Sequence, residues 1–70
     1  MTGLDVEALY VALDKRRRAS HLQWRDIATE AEISASTFSR MGLHGQAPSA
    51  TNLVRMLLWL GETDLKPYIR

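Results

Sequence analysis

Apolar residues recur at helical spacing in four separate stretches of the chain. Val6, Leu9, Tyr10 and Leu13 fall at i, i+3, i+4 and i+7, which predicts a helix over about 5–18. Asp5 is placed to cap its start, and Glu7 sits in the first turn, where a carboxylate suits the helix dipole. After a connection at 19–22, with Leu22 turned inward and His21 a plain loop residue, residues 23–41 read as two short helices around a tight turn. Ile27, Ala28 and Ala31 stripe the first of these. Ser34, a preferred helix-starting residue, follows Ile33 and marks the break. The next helix spans about 34–42 and buries Phe38 and Met41, while Ala35, Ser36, Thr37, Ser39 and Arg40 are expected to point outward. A loop of turn formers covers 42–49. Ser49 then caps a fourth helix with Leu53, Met56, Leu57 and Leu60 on its core face, Val54 at the border and Gly61 at its end. A last short turn or helix over 63–69 carries Leu65, Tyr68 and Ile69. No alternating pattern persists, so the expected class is all-α, one compact domain over 1–70.

Leu58 and Trp59 point well away from the core face of the fourth helix, which is too much apolar surface for a solvated side. The C-terminal segment, a partner, or both must cover them. Leu58, Trp59, Tyr68 and Ile69 are therefore candidates for contact with a second copy, with a cap on the chain's own core as the other role open to them.

Seventy residues lie near the lower limit for an independent core, yet 46% are hydrophobic, which argues against disorder. The absence of cysteine excludes disulfides and cysteine-based metal sites. His21 and His44 stand in no metal-ligand spacing, and neither a metal nor a cofactor is expected. With no membrane-length apolar run and no signal-peptide pattern, the expectation is a soluble cytoplasmic protein with no membrane partner.

The net charge of +1 says little, but its distribution is uneven. Lys15, Arg16, Arg17 and Arg18 form a run, and Glu30 and Glu32 sit together at the end of the second helix. The run suits an anionic partner on one face, or equally a solvated helix end whose cations complement the dipole. By helical phase Arg17 lies one turn past Leu13, so its stem packs while its head reaches out. No enzyme site is visible: Ser34, Ser36, Thr37 and Ser39 have no histidine base at a workable spacing, and no glycine motif cradles a phosphate. Short hydroxyls and one arginine are instead suited to touching a nucleic-acid groove. Trp24 serves either as an apolar anchor between helices or, through its indole N–H and the free backbone N–H groups of the helix start, as a phosphate contact.

The pattern Ile27-Ala28-x-x-x-Glu32-Ile33-Ser34-x-x-x-Phe38-Ser39-Arg40 resembles the helix-turn-helix of the Cro/repressor-type (XRE-like) DNA-binding domains of phages and bacteria. Flanking helices extend the likeness over nearly the whole chain. The resemblance implies a compact four- to five-helix lambda-repressor-like fold and a partner of double-stranded operator DNA read in the major groove. Carried over position by position, it implies base contacts from Ala35, Ser36 and Arg40, with Ser34 and Thr37 near phosphates or the groove wall. Arg40 is the main candidate for specificity, since a guanidinium binds guanine O6 and N7 together; a salt bridge to Asp26 or Glu30 is its alternative role. Phosphate contacts are expected from Trp24, Arg25, Arg16, Arg17, Arg18, Gly45 and Gln46. Two departures stand out. Glycine is usual where this chain has Glu32, at a position that tends to need a left-handed backbone. Gly42 stands where an acidic residue often pairs with an arginine of the first helix, so Arg17 is expected to be freer to meet a phosphate.

The implied function is a sequence-specific regulator, Cro-like, acting by operator occupancy in the bacterial nucleoid, as a homodimer on a two-fold site and with no small-molecule ligand. The rival is an interaction module of the same fold, an antirepressor or antitoxin component, favoured by Glu32, by the single cation on the third helix and by near-neutral charge. A piece of a larger regulator is a third option, which the starting methionine and compact helix count weaken.

Overall fold

A computed structural model describes residues 3–62 and 66–69. The chain folds into four helices, α1 (Val6–Ala19), α2 (Trp24–Ala31), α3 (Ala35–His44) and α4 (Ala50–Leu60), followed by a 3-10 turn (Lys66–Tyr68). Among the described residues there is no strand, only one antiparallel bridge between Leu4 and Ile69. The first part of the expected C-terminal turn, 63–65, lies outside the described residues.

Local chemistry sets the helix starts. The Asp5 carboxylate accepts from the Ala8 N–H at 3.1 Å and Ser49 Oγ accepts from the Asn52 N–H at 3.2 Å, each satisfying a donor that the first turn leaves open. At α2 the Gln23 N–H donates to the Asp26 carboxylate at 2.8 Å. Ser34 occupies the cap position of α3 but its hydroxyl makes no cap bond; it pairs with the Ser36 hydroxyl at 2.9 Å instead.

α2, α3 and α4 each end on a left-handed residue whose N–H and successor N–H turn back onto the last carbonyls, and α1 reaches the same turn one residue later, after the right-handed Ser20. The left-handed residues are His21 (φ 57°), Glu32 (φ 59°), Gly45 (φ 62°) and Gly61 (φ 71°). At the second of them, the Ile33 N–H donates to the Ala28 carbonyl at 2.9 Å and the Glu32 N–H to that of Thr29 at 3.4 Å. His21, expected as a plain loop residue, does the same for α1: its N–H donates to the Arg18 carbonyl and the Leu22 N–H to that of Arg17.

One expected boundary moves. α3 continues through Gly42 to His44 and ends at Gly45. Gly42 is not a stop signal but a gap: a Cβ there would fall 2.7 Å from the Tyr10 hydroxyl and 2.8 Å from its Cζ. The ring of Tyr10 takes the space that a side chain would need, and the helix runs on beneath it.

The core comprises Leu9, Leu13, Ile27, Ala28, Ile33, Phe38, Met41, Met56 and Tyr68. α1 packs on α3, α4 and the 3-10 turn, and α2 on α3 and α4. On α4 only Met56 is fully enclosed; Leu53, Leu57 and Leu60 are half-buried against the same core. The chain ends are tied together where the Asp5 N–H donates to the Tyr68 carbonyl at 2.6 Å.

The left-handed Glu32 costs the fold about 0.5–1 kcal/mol after allowing for glycine's larger unfolded entropy. Glu32→Gly should therefore raise the midpoint of a circular-dichroism melt by roughly 3–6 °C in a domain of this size; a fall would contradict a left-handed turn. Burial pushes the Tyr68 phenol above its ordinary value of 10.0, and the Glu62 carboxylate adds to that. The neutral phenol thus contributes stability that is complete below the unfolded pKa of about 10 and is lost as pH rises through the folded one. Urea midpoints from pH 8 to 11 should fall more steeply for the wild type than for Tyr68→Phe. Parallel curves would refute this.

Candidate nucleic-acid interface

α2, the turn at 32–34 and α3 present one outward face. Its floor is set by Ile27, Ala28, Ile33, Phe38 and Met41, all buried. Above it Ser34, Ala35, Ser36, Ser39 and Arg40 are exposed. Thr37 departs from the expectation: it is turned inward, 6% exposed. Its position one residue before Phe38 places it on the border of the buried stripe. Its hydroxyl makes no hydrogen bond to a described residue, and it lines a cleft of about 190 Å³ with Arg40, Gln46, Ala47, Pro48, Ser49 and Asn52. Gln46 is exposed on this cleft, whereas Gly45, also exposed, lines a larger groove between α1 and α3. Asn52, missed at the sequence level, reaches it because the loop at 45–49 folds the start of α4 back toward α3.

Arg40 forms no ion pair with Asp26 or Glu30; among the described residues the salt bridges are those of Arg17 and Arg18 with Asp14. A guanidinium with no acid partner on an exposed helix face keeps its donors for another molecule. Arg25, exposed at the start of α2, is likewise without an ion pair among the described residues.

The basic run behaves otherwise. Successive residues of a helix point about 100° apart, so 15–18 do not share a face. Arg17 is engaged inside the protein: it donates to Asp14 Oδ1 at 2.6 and 3.0 Å and to the Leu22 carbonyl at 3.0 Å. Its guanidinium also lies 5.1 Å from the Trp24 ring centre. The expectation that Gly42 frees Arg17 for a phosphate is thus corrected. Asp14, at i−3 on the same helix, supplies the carboxylate that position 42 lacks, a spacing visible in the sequence. Arg18 pairs with the other Asp14 oxygen at 3.0 Å while staying largely in solvent. Arg16 lies over the Trp59 ring, 5.4 Å from its centre.

Trp24 is first an anchor. Its ring stacks on Tyr10 at 5.0 Å and meets Phe38 at 5.2 Å. Its indole N–H bonds to no described residue and is not sealed off from solvent, so the second role stays open to it.

Of the residues expected to contact a second copy, Tyr68 is 7% exposed and belongs to the chain's own core. Burial of its ring is what closes the bottom of α1, so it is removed from that surface. Trp59 is half-buried beneath Arg16. Leu58 at 74% and Ile69 at 46% do remain exposed, joined by Val54 at 56%. A larger groove of about 540 Å³ between the start of α1 and the end of α3 is lined by one carboxylate, Glu7, and no cation, which suits no anionic ligand. No helix among the described residues is long and apolar enough to cross a membrane.

The chain matches no protein family, no curated protein and no solved structure.

Because Arg17 holds Asp14, the Leu22 carbonyl and the Trp24 ring together, Arg17→Ala should lower stability by about 1.5–3 kcal/mol. Lysine should restore little of it, having neither the fork nor the flat face. Urea unfolding checks this. A variant as stable as the wild type would return the guanidinium to the list of anion contacts.

Proposed function

We propose that this chain is a sequence-specific double-stranded DNA-binding regulator of transcription, not an enzyme. In this reading it has a lambda-repressor-like helix-turn-helix fold, with α2 and α3 as the motif and α3 as the recognition helix. The observation that carries the reading is the exposed face of α3. Small side chains, Ala35, Ser36 and Ser39, surround the unpaired guanidinium of Arg40, over a buried stripe that fixes the helix on the domain. Such a face can approach base edges closely, with Arg40 on guanine and Ala35 against a thymine methyl.

Backbone contacts come from Arg25, from the indole and helix start at Trp24, from Ser34, from Gln46 at the cleft shared with Arg40, and from Gly45 one residue before it. Arg16 and Arg18 contribute only through their exposed sides. One strong base reader and few free cations make a single copy a weak binder, so two copies on a two-fold site are required, with Leu58 and Ile69 exposed as contact surface. Occupancy of the operator, in the cytoplasm of a bacterial cell, then blocks a polymerase or a competing repressor. No effector or metal enters this mechanism.

A second reading draws support from a specific observation. Three of the four cations in the basic run have protein partners, and Leu43, 79% exposed, lies on the same stripe as Ser36 and Arg40. A large apolar group on that face suits a protein partner, as in an antirepressor or antitoxin component.

Binding to random duplex and to duplex from the chain's own upstream region, at two salt concentrations, separates the two. Preference for the upstream duplex with a steep salt dependence supports the regulator; no binding at low salt favours the protein partner. Arg40→Ala should weaken the preferred duplex by roughly tenfold to a hundredfold, about 1–3 kcal/mol, and leave random duplex nearly unchanged. An equal loss on both would remove Arg40 from base reading.

A further inference from the structure

The side-chain hydrogen bonds of Arg17, Asp26, Ser34 and Ser49 are local, spanning two to five positions. Arg55, in the middle of α4, is different. Its Nη1 donates to the carbonyl oxygen of Glu32 at 2.6 Å, across 23 positions. That carbonyl belongs to the left-handed residue that ends α2, and among the described residues it accepts no backbone N–H. Arg55 itself has no carboxylate partner among them. A charged donor on an otherwise unused carbonyl makes a short, strong bond and orients the peptide plane that carries it.

That plane matters because α3 starts three residues later. The dihedral angles at 32–34 set the axis of α3 relative to α2, and Glu32 holds them in a conformation that a side chain disfavours. α3 has 10 residues, so it is about 15 Å long. A tilt of about 10° at the turn would move its far end by roughly 2–3 Å, well beyond the ~0.5 Å tolerance of a preorganised binding site.

We propose that Arg55 is a positioning residue. By holding the Glu32 carbonyl from α4 it fixes the angle at which α3 is presented, so that sequence discrimination depends on a side chain that touches no base. This rests on the DNA-binding reading, and the test keeps the two separable.

A preferred site is first selected from a pool of random duplexes with the wild-type protein. Affinity for that site and for a scrambled duplex is then measured for the wild type, Arg55→Ala and Arg55→Lys, together with backbone amide exchange. Arg55→Ala should lose about tenfold in the ratio of the two affinities while scrambled-duplex binding stays within about twofold. Arg55→Lys, which keeps a charged donor, should recover most of the ratio. Exchange at Ile33 and Thr37 should quicken relative to Leu9 and Leu13. An unchanged ratio overturns the proposal. So does an equal loss on both duplexes with a flattened salt dependence, which would make Arg55 a phosphate contact. Uniformly faster exchange overturns it too, as a general stability role. Should the wild type bind no duplex, the DNA reading fails and exchange alone decides: quickening confined to 32–37 keeps Arg55 as the anchor of the turn, and any other pattern removes it. If Arg55→Ala does not fold, Arg55→Gln takes its place, with neutral donors and the same expected losses.

Discussion

The structure depends on the ring of Trp24. Tyr10 of α1 stacks on it, Phe38 of α3 leans against it, and the Arg17 guanidinium of α1 lies at its face, so three helices meet at one side chain. Each aromatic pair contributes about 0.5–1.5 kcal/mol beyond its buried area, and a cation at a ring face about 0.5–2. Those are large terms in a 70-residue domain without cysteine, whose whole stability is expected at only several kcal/mol. α2 has 8 residues and α3 has 10, too short to persist alone in water. They persist because α3 packs on α1 and α2, and α2 on α4, with the Trp24 ring as the point where α1, α2 and α3 meet.

This arrangement explains why the charges are distributed as they are. Asp14 takes two guanidinia, one on each oxygen, and thereby pins Arg17 over the indole while Arg18 remains in solvent. Arg16 covers Trp59 in the same manner at the other side of α1. Arginine is suited to both tasks because its flat, weakly hydrated head packs on a ring while its edge still donates. Of the run that stands out in the sequence, only the exposed Lys15 has no ion pair or ring contact among the described residues. The other cations left to act on an anionic partner are the isolated Arg25 and Arg40, on α2 and α3.

Much of the fold was legible because its signals are local. The apolar stripes of α1 and α4, the caps at Asp5 and Ser49 and the break before Ser34 each follow from residues a few positions apart, while the left-handed turn at Glu32 was expected from the resemblance alone. What was not legible involved distance or the absence of a side chain. Gly42 reads as a helix stop, and only the Tyr10 ring lying against it reveals a close approach. Nothing in the sequence marks Arg55, the single base on α4, since its partner is a backbone carbonyl 23 positions away and carbonyls have no sequence signature. His21 carries a left-handed turn that nothing but its flanking hydrogen bonds marks. Thr37 was misplaced for a simpler reason: it lies at the edge of a buried stripe, where a small error in helical phase decides between inside and outside. Arg17 was placed at that edge correctly, but the carboxylate of Asp14 three positions before it was overlooked as its partner.

α2 is bracketed by the two left-handed residues that are not glycine, His21 before it and Glu32 after it. Together these carry roughly 2 kcal/mol of backbone strain, a sizeable share of what so small a domain has. Such strain persists only where the surroundings determine the backbone more strongly than its own preference does. At the first end the determinant is Arg17, which holds the Leu22 carbonyl just after His21 and the Trp24 ring just beyond it. At the second end it is Arg55 on the Glu32 carbonyl, with Ile33 buried behind it. One arginine from α1 and one from α4 thus fix the two ends of the shortest helix. The position of α3, and of whatever its exposed face meets, is inherited from both.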